Sequence, residues 1–275
     1  VAEASSQSTL VLASTCSLTS TSGVVDLDVN GTVTVDGDIA TSTLSVTAGE
    51  SIAVGTTSAL TLSGSSCGVV QSARSTVTID GTLQCSGVVV TLQAYVDLSV
   101  SGMVHCSLAS CDIDVVVGRD VTLTGSSTVQ SVGYLGGVTV MASGDVSLDG
   151  TSIIRGGDVD IEAHDMDVAS GALVDVSARG NKEQTGTGAA AAVTGFTCSN
   201  NYAASASGAG GAYGGDGGSS CHRHSCVPAN PPGGDAYGSA TWPVDFGSGG
   251  GAFYYNRGMK TSTGGAGGGR IRIKL

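Results

Sequence analysis

Eight cysteines, Cys16, Cys67, Cys85, Cys106, Cys111, Cys198, Cys221 and Cys226, are the most reactive side chains in this sequence of 275 residues. Their number is even and no CxxC pair occurs, a pattern that points to disulfides rather than structural zinc. Disulfides persist where the medium is oxidising, so the expected location is extracellular or on a cell surface. One segment brings thiols and imidazoles together: CHRHSC, residues 221–226. His222, His224 and two thiolates, with Asp216, are the residue types of a metal centre. An oxidising compartment removes the thiolates, however, and a disulfide-closed or disulfide-anchored loop with two exposed imidazoles is the preferred reading. No metal and no cofactor are therefore expected.

Carboxylates form the second group. Asp158, Asp160 and Glu162 alternate along the chain and would share one face of a strand, and Asp165 and Asp167 repeat the spacing. Such a patch has the chemistry for calcium, or for cleaving a polysaccharide; more often it is a face kept polar for solubility. No partner acid or base is marked by spacing, and the Gly runs contain no GxxxxGK[ST] phosphate loop. The expectation is a protein that is not an enzyme. Asn30-Gly31-Thr32 is an N-glycosylation sequon, and the Ser/Thr-rich stretch 5–23 is a candidate for O-glycans.

The elements that position these groups are written as a repeat. TVTVDG (32–37), ALTLSG (59–64), TVTIDG (76–81), DLSVSG (97–102), DVTLTG (120–125) and DVSLDG (145–150) each run an alternating apolar strand into a polar residue and a Gly, and DMDVASG (165–171) does so with one insertion. A second strand precedes several of them, as in VTLQAYVDLSV (90–100) and VTVMASGDVSL (138–148). Recurrence near twenty residues is the period of a β-solenoid coil, in which each rung buries its apolar face only against the next. Residues 76–87 superpose directly on 97–108, setting Gly81 over Gly102 and Cys85 over Cys106. Antiparallel sandwich strands alternate too, but they do not repeat in fixed register. About seven rungs at about 4.8 Å each are expected over residues 20–180, and the corner glycines are expected to adopt conformations that L-residues resist. Rungs stacked this closely bring Cys85 within disulfide reach of Cys106, while Cys67 lies about one rung before Cys85; the partner choice stays open.

After Gly180 the alternation stops and Gly, Ala and Ser dominate. Composition alone would make this a flexible linker. Yet the sole Trp (Trp242), all three Phe and five of the seven Tyr fall here, which argues for a folded Gly-rich region. The chain closes on RIRIKL, whose alternation sends Arg270, Arg272 and Lys274 to one face and Ile271, Ile273 and Leu275 to the other.

The order GAGGAYGGDGG (208–218), AYGSATWPVDFGSGGG (236–251) and GGAGGGRIRIKL (264–275) resembles a block found in Gly-rich β-helical extracellular proteins of plants and protists. The upstream rungs are similar to filamentous-haemagglutinin-type solenoids. Neither resemblance brings a catalytic motif, and both imply an adhesive or structural role at a cell surface.

The expected fold is all-β: a right-handed parallel β-helix or solenoid over 1–180, then a Gly-rich, disulfide-bearing, loop-dominated wrap over 181–275 that packs on it and ends in a strand. The expected function is a non-catalytic structural subunit of a surface filament or coat. It would form a homo-polymer through the solenoid ends or the strand 270–275, whose cations would lie near Asp158, Asp160 and Glu162. The alternatives are a carbohydrate-binding adhesin module, with glycans as partners, and a β-helical polysaccharide lyase or hydrolase. A net charge of −12 with three lysines excludes nucleic acid as a partner, and no apolar run is long enough to span a membrane. The first residues, VAEASSQSTL, lack a start Met and the basic-then-apolar order of a signal peptide, so the chain reads as a mature product.

Overall fold

A computed structural model describes the chain except for residues 1, 5–8, 21–22, 64–66, 73–74, 109, 135, 184, 191–210, 214–215, 220–231, 240–243, 252, 256–258 and 263. The described residues are all-β and contain no helix. No helix long and apolar enough to cross a membrane is therefore present among them. By internal contacts the chain divides into two units, Val1–Asp175 with Arg272–Leu275, and Val176–Ile271.

The first unit is a parallel β-solenoid. Successive strands are dealt in turn to three sheets, so that each strand pairs in parallel with the third one after it. One turn consists of Val89–Ala94 in the first sheet, Leu98–Val100 in the second and Met103–Cys106 in the third; the next repeats this as Asp112–Val117, Val121–Leu123 and Thr128–Ser131. Seven such turns stack between Val24 and Asp175, and the short strands Ala2–Ala4, Leu10–Leu12 and Ser17–Thr19 precede them. Alternation fixes which side chains enter the lumen. In the third sheet Ile39, Leu60, Leu83, Val104, Val129 and Ile154 face one another in register from turn to turn, and all are at most 3% exposed. Each such side chain contributes about 1.5–3 kcal/mol by leaving water, which a lone rung could not obtain.

A turn holds a third strand beside the two that the repeat displays. One expectation about the rung is corrected: ALTL (59–62) does not align with TVTVDG, because it lies in the third sheet against Thr82–Cys85, while Ile52–Val54 takes the second-sheet place. The two segments alternate alike and both end near a Gly, so local pattern alone could not separate them. The corner column accordingly runs through Gly55: a Cβ added to Gly81 would sit 2.3 Å from the Gly55 carbonyl oxygen.

The reason for glycine at the corners also differs along the column. Gly150 has φ +67°, the left-handed region that L-residues avoid. Gly102 has no such φ; a Cβ there would lie 2.0 Å from the Gly81 carbonyl oxygen, so close stacking of the turns is what excludes a side chain.

In the second unit the same steric logic replaces side-chain packing. Gly-rich segments lie side by side and exchange backbone hydrogen bonds: Gly180 N–H donates to Gly267 O (2.7 Å), Gly267 N–H to Asn181 O (2.9 Å), Gly247 N–H to Gly268 O (2.9 Å) and Gly217 N–H to Gly234 O (2.9 Å). A Cβ on Gly234 would sit 1.7 Å from Gly188 O, and one on Gly249 1.9 Å from Lys182 O. Side chains pin the segments at few points. Ser248 Oγ accepts Gly188 N–H (2.9 Å) and donates to Tyr237 Oη (2.8 Å), and Tyr237 meets Tyr213 edge-to-face at 5.1 Å. The unit's strands among the described residues are the antiparallel pair Phe253–Tyr255 and Met259–Ser262.

Candidate functional site

Four cysteines converge inside the solenoid. Cys85 and Cys106 face each other in register at the end of adjacent third-sheet strands, as their spacing predicts. They are not bonded to each other. The bridges are Cys67–Cys85 and Cys106–Cys111, with Cα–Cα separations of 5.7 and 6.0 Å, inside the range a disulfide needs. Cys67 and Cys111 stand just before first-sheet strands, at the bend where the third sheet leads into the first, and both turn inward there. All four are 0% exposed, and the Sγ atoms of Cys85, Cys106 and Cys111 lie within 4.8 Å of one another. Gly87 N–H points at this cluster, 3.1 Å from Cys67 Sγ and 3.0 Å from Cys85 Sγ. Cys16, another disulfide candidate, is exposed and has no bridge among the described residues. Cys198, Cys221 and Cys226, with His222 and His224, lie outside the described residues.

The charged face is built by the last first-sheet strands. Val159 and Ile161 are fully buried, so Asp158, Asp160 and Glu162 face outward as alternation requires. The terminal strand Arg270–Lys274 lies next to them in the same sheet. Arg272 Nη2 reaches Asp160 Oδ2 at 2.5 Å, Lys274 Nζ reaches Glu162 Oε1 at 2.6 Å, and Ala163 N–H donates to Lys274 O at 3.0 Å. The cations thus meet the predicted acidic patch within one chain, and two of its carboxylates are neutralised. Ile273 and Leu275 are 49% and 68% exposed, and their strand is the last of its sheet among the described residues.

A second acidic feature was present in the sequence and not singled out. Asp97, Asp120, Asp145 and Asp165 open successive second-sheet strands in one column. Asp97 Oδ1 accepts Asp120 N–H (3.4 Å), and Asp120 Oδ1 accepts Asp145 N–H (2.9 Å), so the carboxylates bond to the backbone one turn on. Arg119 clamps Asp97 through Nε (2.8 Å) and Nη2 (2.5 Å); this hydrogen bonding, then the charge of Asp97, holds its guanidinium above its ordinary pKa. The signal was the repeated leading Asp of DLSVSG, DVTLTG, DVSLDG and DMDVASG.

Beside this column, a surface groove of about 490 Å³ is lined by residues that include Val116, Met141, Glu162 and His164. His164 Nδ1 lies 3.3 Å from Asp145 Oδ1. On the same face Asp114 is held above the usual carboxylate range, first by burial and then by repulsion from Asp112. Asn30, the sequon residue, is exposed in the turn between Val24–Val29 and Val33–Val35. Compared with known proteins, the chain matches no family model, no curated protein and no solved structure.

Proposed function

We propose that the protein is a non-catalytic, extracellular structural subunit that self-assembles into a surface filament or coat. The observation that carries this reading is the register of the solenoid, in which every turn offers the next a matching apolar column and strand edge, while apolar side chains of the first and last described strands stay exposed. Leu18 is 36% exposed although its register mate Ile39 is 0% exposed, and Val168 is 44% exposed above a fully buried Leu148. Apolar ends flanked by open strand edges are what parallel association of copies would bury. At the first end, Leu10 N–H bonds Thr32 O (2.9 Å) and Leu12 O accepts Asp36 N–H (2.8 Å), so the alternation of a parallel ladder turns the backbone groups of Val11 outward. The buried disulfides support an oxidising setting, and the exposed sequon at Asn30 suits a secreted chain.

Electron microscopy and sedimentation of the purified protein test the reading. Assemblies that grow with concentration are expected, and Val11→Pro, which removes one outward N–H from an edge strand, should suppress them while leaving the far-UV spectrum unchanged. A protein that stays monomeric at all concentrations overturns the proposal. The second reading, a carbohydrate-binding adhesin module, draws on the groove at Val116 and Met141 and on Tyr95, which is 71% exposed. Glycan-array binding lost in Tyr95→Ala and Met141→Ala, without assembly, would favour it.

A further inference from the structure

We propose that Cys67, Cys85, Cys106 and Cys111, when reduced, form a tetrathiolate site for a zinc-class divalent metal inside the solenoid. Three sulfurs already lie within 4.8 Å of one another, and the fourth, Cys67, is bonded to one of them. Four sulfurs at about 2.3 Å from a tetrahedral zinc stand about 3.8 Å apart, so once the bridges open the bonded sulfurs must part and Cys67, which lies outside the group of three, must move in toward them. Sequence spacing hides the site: the bridged pairs are 18 and 5 residues apart, and no CxxC knuckle occurs. Coil register brings the ligands together instead, with Cys85 placed directly over Cys106.

A second, independent feature points to a thiolate cluster. Gly87 N–H lies within hydrogen-bond distance of two of the sulfurs, Cys67 and Cys85, at 3.1 and 3.0 Å. Amide donation to sulfur stabilises a thiolate and tunes a metal bound to it, as outer-shell hydrogen bonds do at such centres. A four-thiolate zinc carries two net negative charges, and in a lumen lined by apolar side chains that N–H is the group placed to offset them. The inference does not rest on the filament reading, since it concerns the chain before its bridges close.

The chemistry balances without a hidden reagent. Each bridge takes two electrons and two protons from an external dithiol, which leaves as its own disulfide. The divalent ion then displaces four protons from the four thiols. Reoxidation passes the same four electrons, with four protons from solvent, to two molecules of an external disulfide, which leave as dithiols, and expels the ion. Bridges and metal are therefore alternatives at one place.

Cobalt(II) is the probe, because a tetrahedral four-sulfur cobalt gives strong sulfur-to-metal charge-transfer bands. The full chain carrying Cys16→Ser, Cys198→Ser, Cys221→Ser and Cys226→Ser is reduced with a phosphine, which leaves as its oxide with oxygen from water, and is titrated with cobalt(II) and then zinc(II). One cobalt per chain, displaced by zinc, is expected, with affinity falling at least tenfold in Cys106→Ser and in Cys111→Ser. Native mass spectrometry should show one zinc gained and four protons lost. If the reduced chain keeps its sheet spectrum yet binds no cobalt, or if Cys106→Ser binds it unchanged, the proposal is wrong. If the reduced chain unfolds, zinc must restore the sheet spectrum on refolding; refolding no better with zinc than without it also overturns the proposal.

Discussion

At the residue scale, the cysteines and the carboxylates behave oppositely when the chain folds. The cysteines are removed from water and bonded in pairs, so each pair should act as one unit. Cys85→Ser and Cys67→Ser should lower stability by the same ~3 kcal/mol, while Cys106→Ser and Cys111→Ser, which open a shorter loop, should each cost ~2 kcal/mol. Denaturant unfolding of the four single variants and the two pairwise doubles checks this. A Cys67→Ser/Cys85→Ser double that costs clearly more than either single would refute the pairing. Asp114 is held half-exposed with Asp112 beside it, and its raised pKa means that the folded state binds its proton more tightly than the unfolded chain does. Stability from this group is therefore full below the ordinary carboxylate value of 3.8 and is lost as pH rises through the folded pKa. Asp114→Asn should raise the melting temperature at pH 7, and the gain should vanish in acid. Melting curves of both proteins across pH 3–7 decide it; a gain that grows toward low pH would show the sign is wrong.

At the element scale, the sequence reports strand faces more reliably than strand partners. Alternation in TVTIDGTLQC and DLSVSGMVHC sends Val77, Ile79, Leu83 and Cys85 inward, and the structure buries all four. What alternation cannot report is which of three sheets a strand joins, and so ALTL (59–62) was set against the wrong strands. The disulfide partners were illegible for a related reason: register places Cys85 over Cys106, whereas the bends that bring in Cys67 and Cys111 have no periodic signature. The charged edge was legible, because the alternation of RIRIKL and of Asp158, Asp160 and Glu162 fixes which side chains meet. The packing of the described Gly-rich segments was not legible, since composition cannot distinguish a glycine that frees the backbone from one that lets two backbones touch. Corner stacking gives a direct test. Gly102→Val places a branched side chain against the Gly81 carbonyl and should cost at least ~1–3 kcal/mol by overpacking, whereas Thr78→Val, at an outward position in the same stack, should stay within about 0.5 kcal/mol of the parent. Equal melting temperatures for the two variants would contradict the stacking of these turns.

At the scale of the whole molecule, the proposed assembly has a polarity that can be tested separately from its existence. The two ends of the described stack of turns differ: Leu18 and the outward backbone of Val11 are exposed in the first strands, Val168 and Ile273 in the last. Joining unlike ends is a heterologous contact that does not close, and it grows without limit; joining like ends is a two-fold contact that stops at a dimer. Val11→Pro blocks the first end and Ile273→Lys the second, and under the heterologous scheme neither variant alone can grow. Mixed in equal amounts, each supplies the one competent end the other lacks, so sedimentation should show dimers containing one copy of each and nothing larger. Because the contact buries apolar side chains, these mixed dimers should strengthen on modest warming and in sulfate. A dimer formed by either variant alone would establish like-end pairing, and a mixture that remains monomeric would remove the solenoid ends from the assembly altogether.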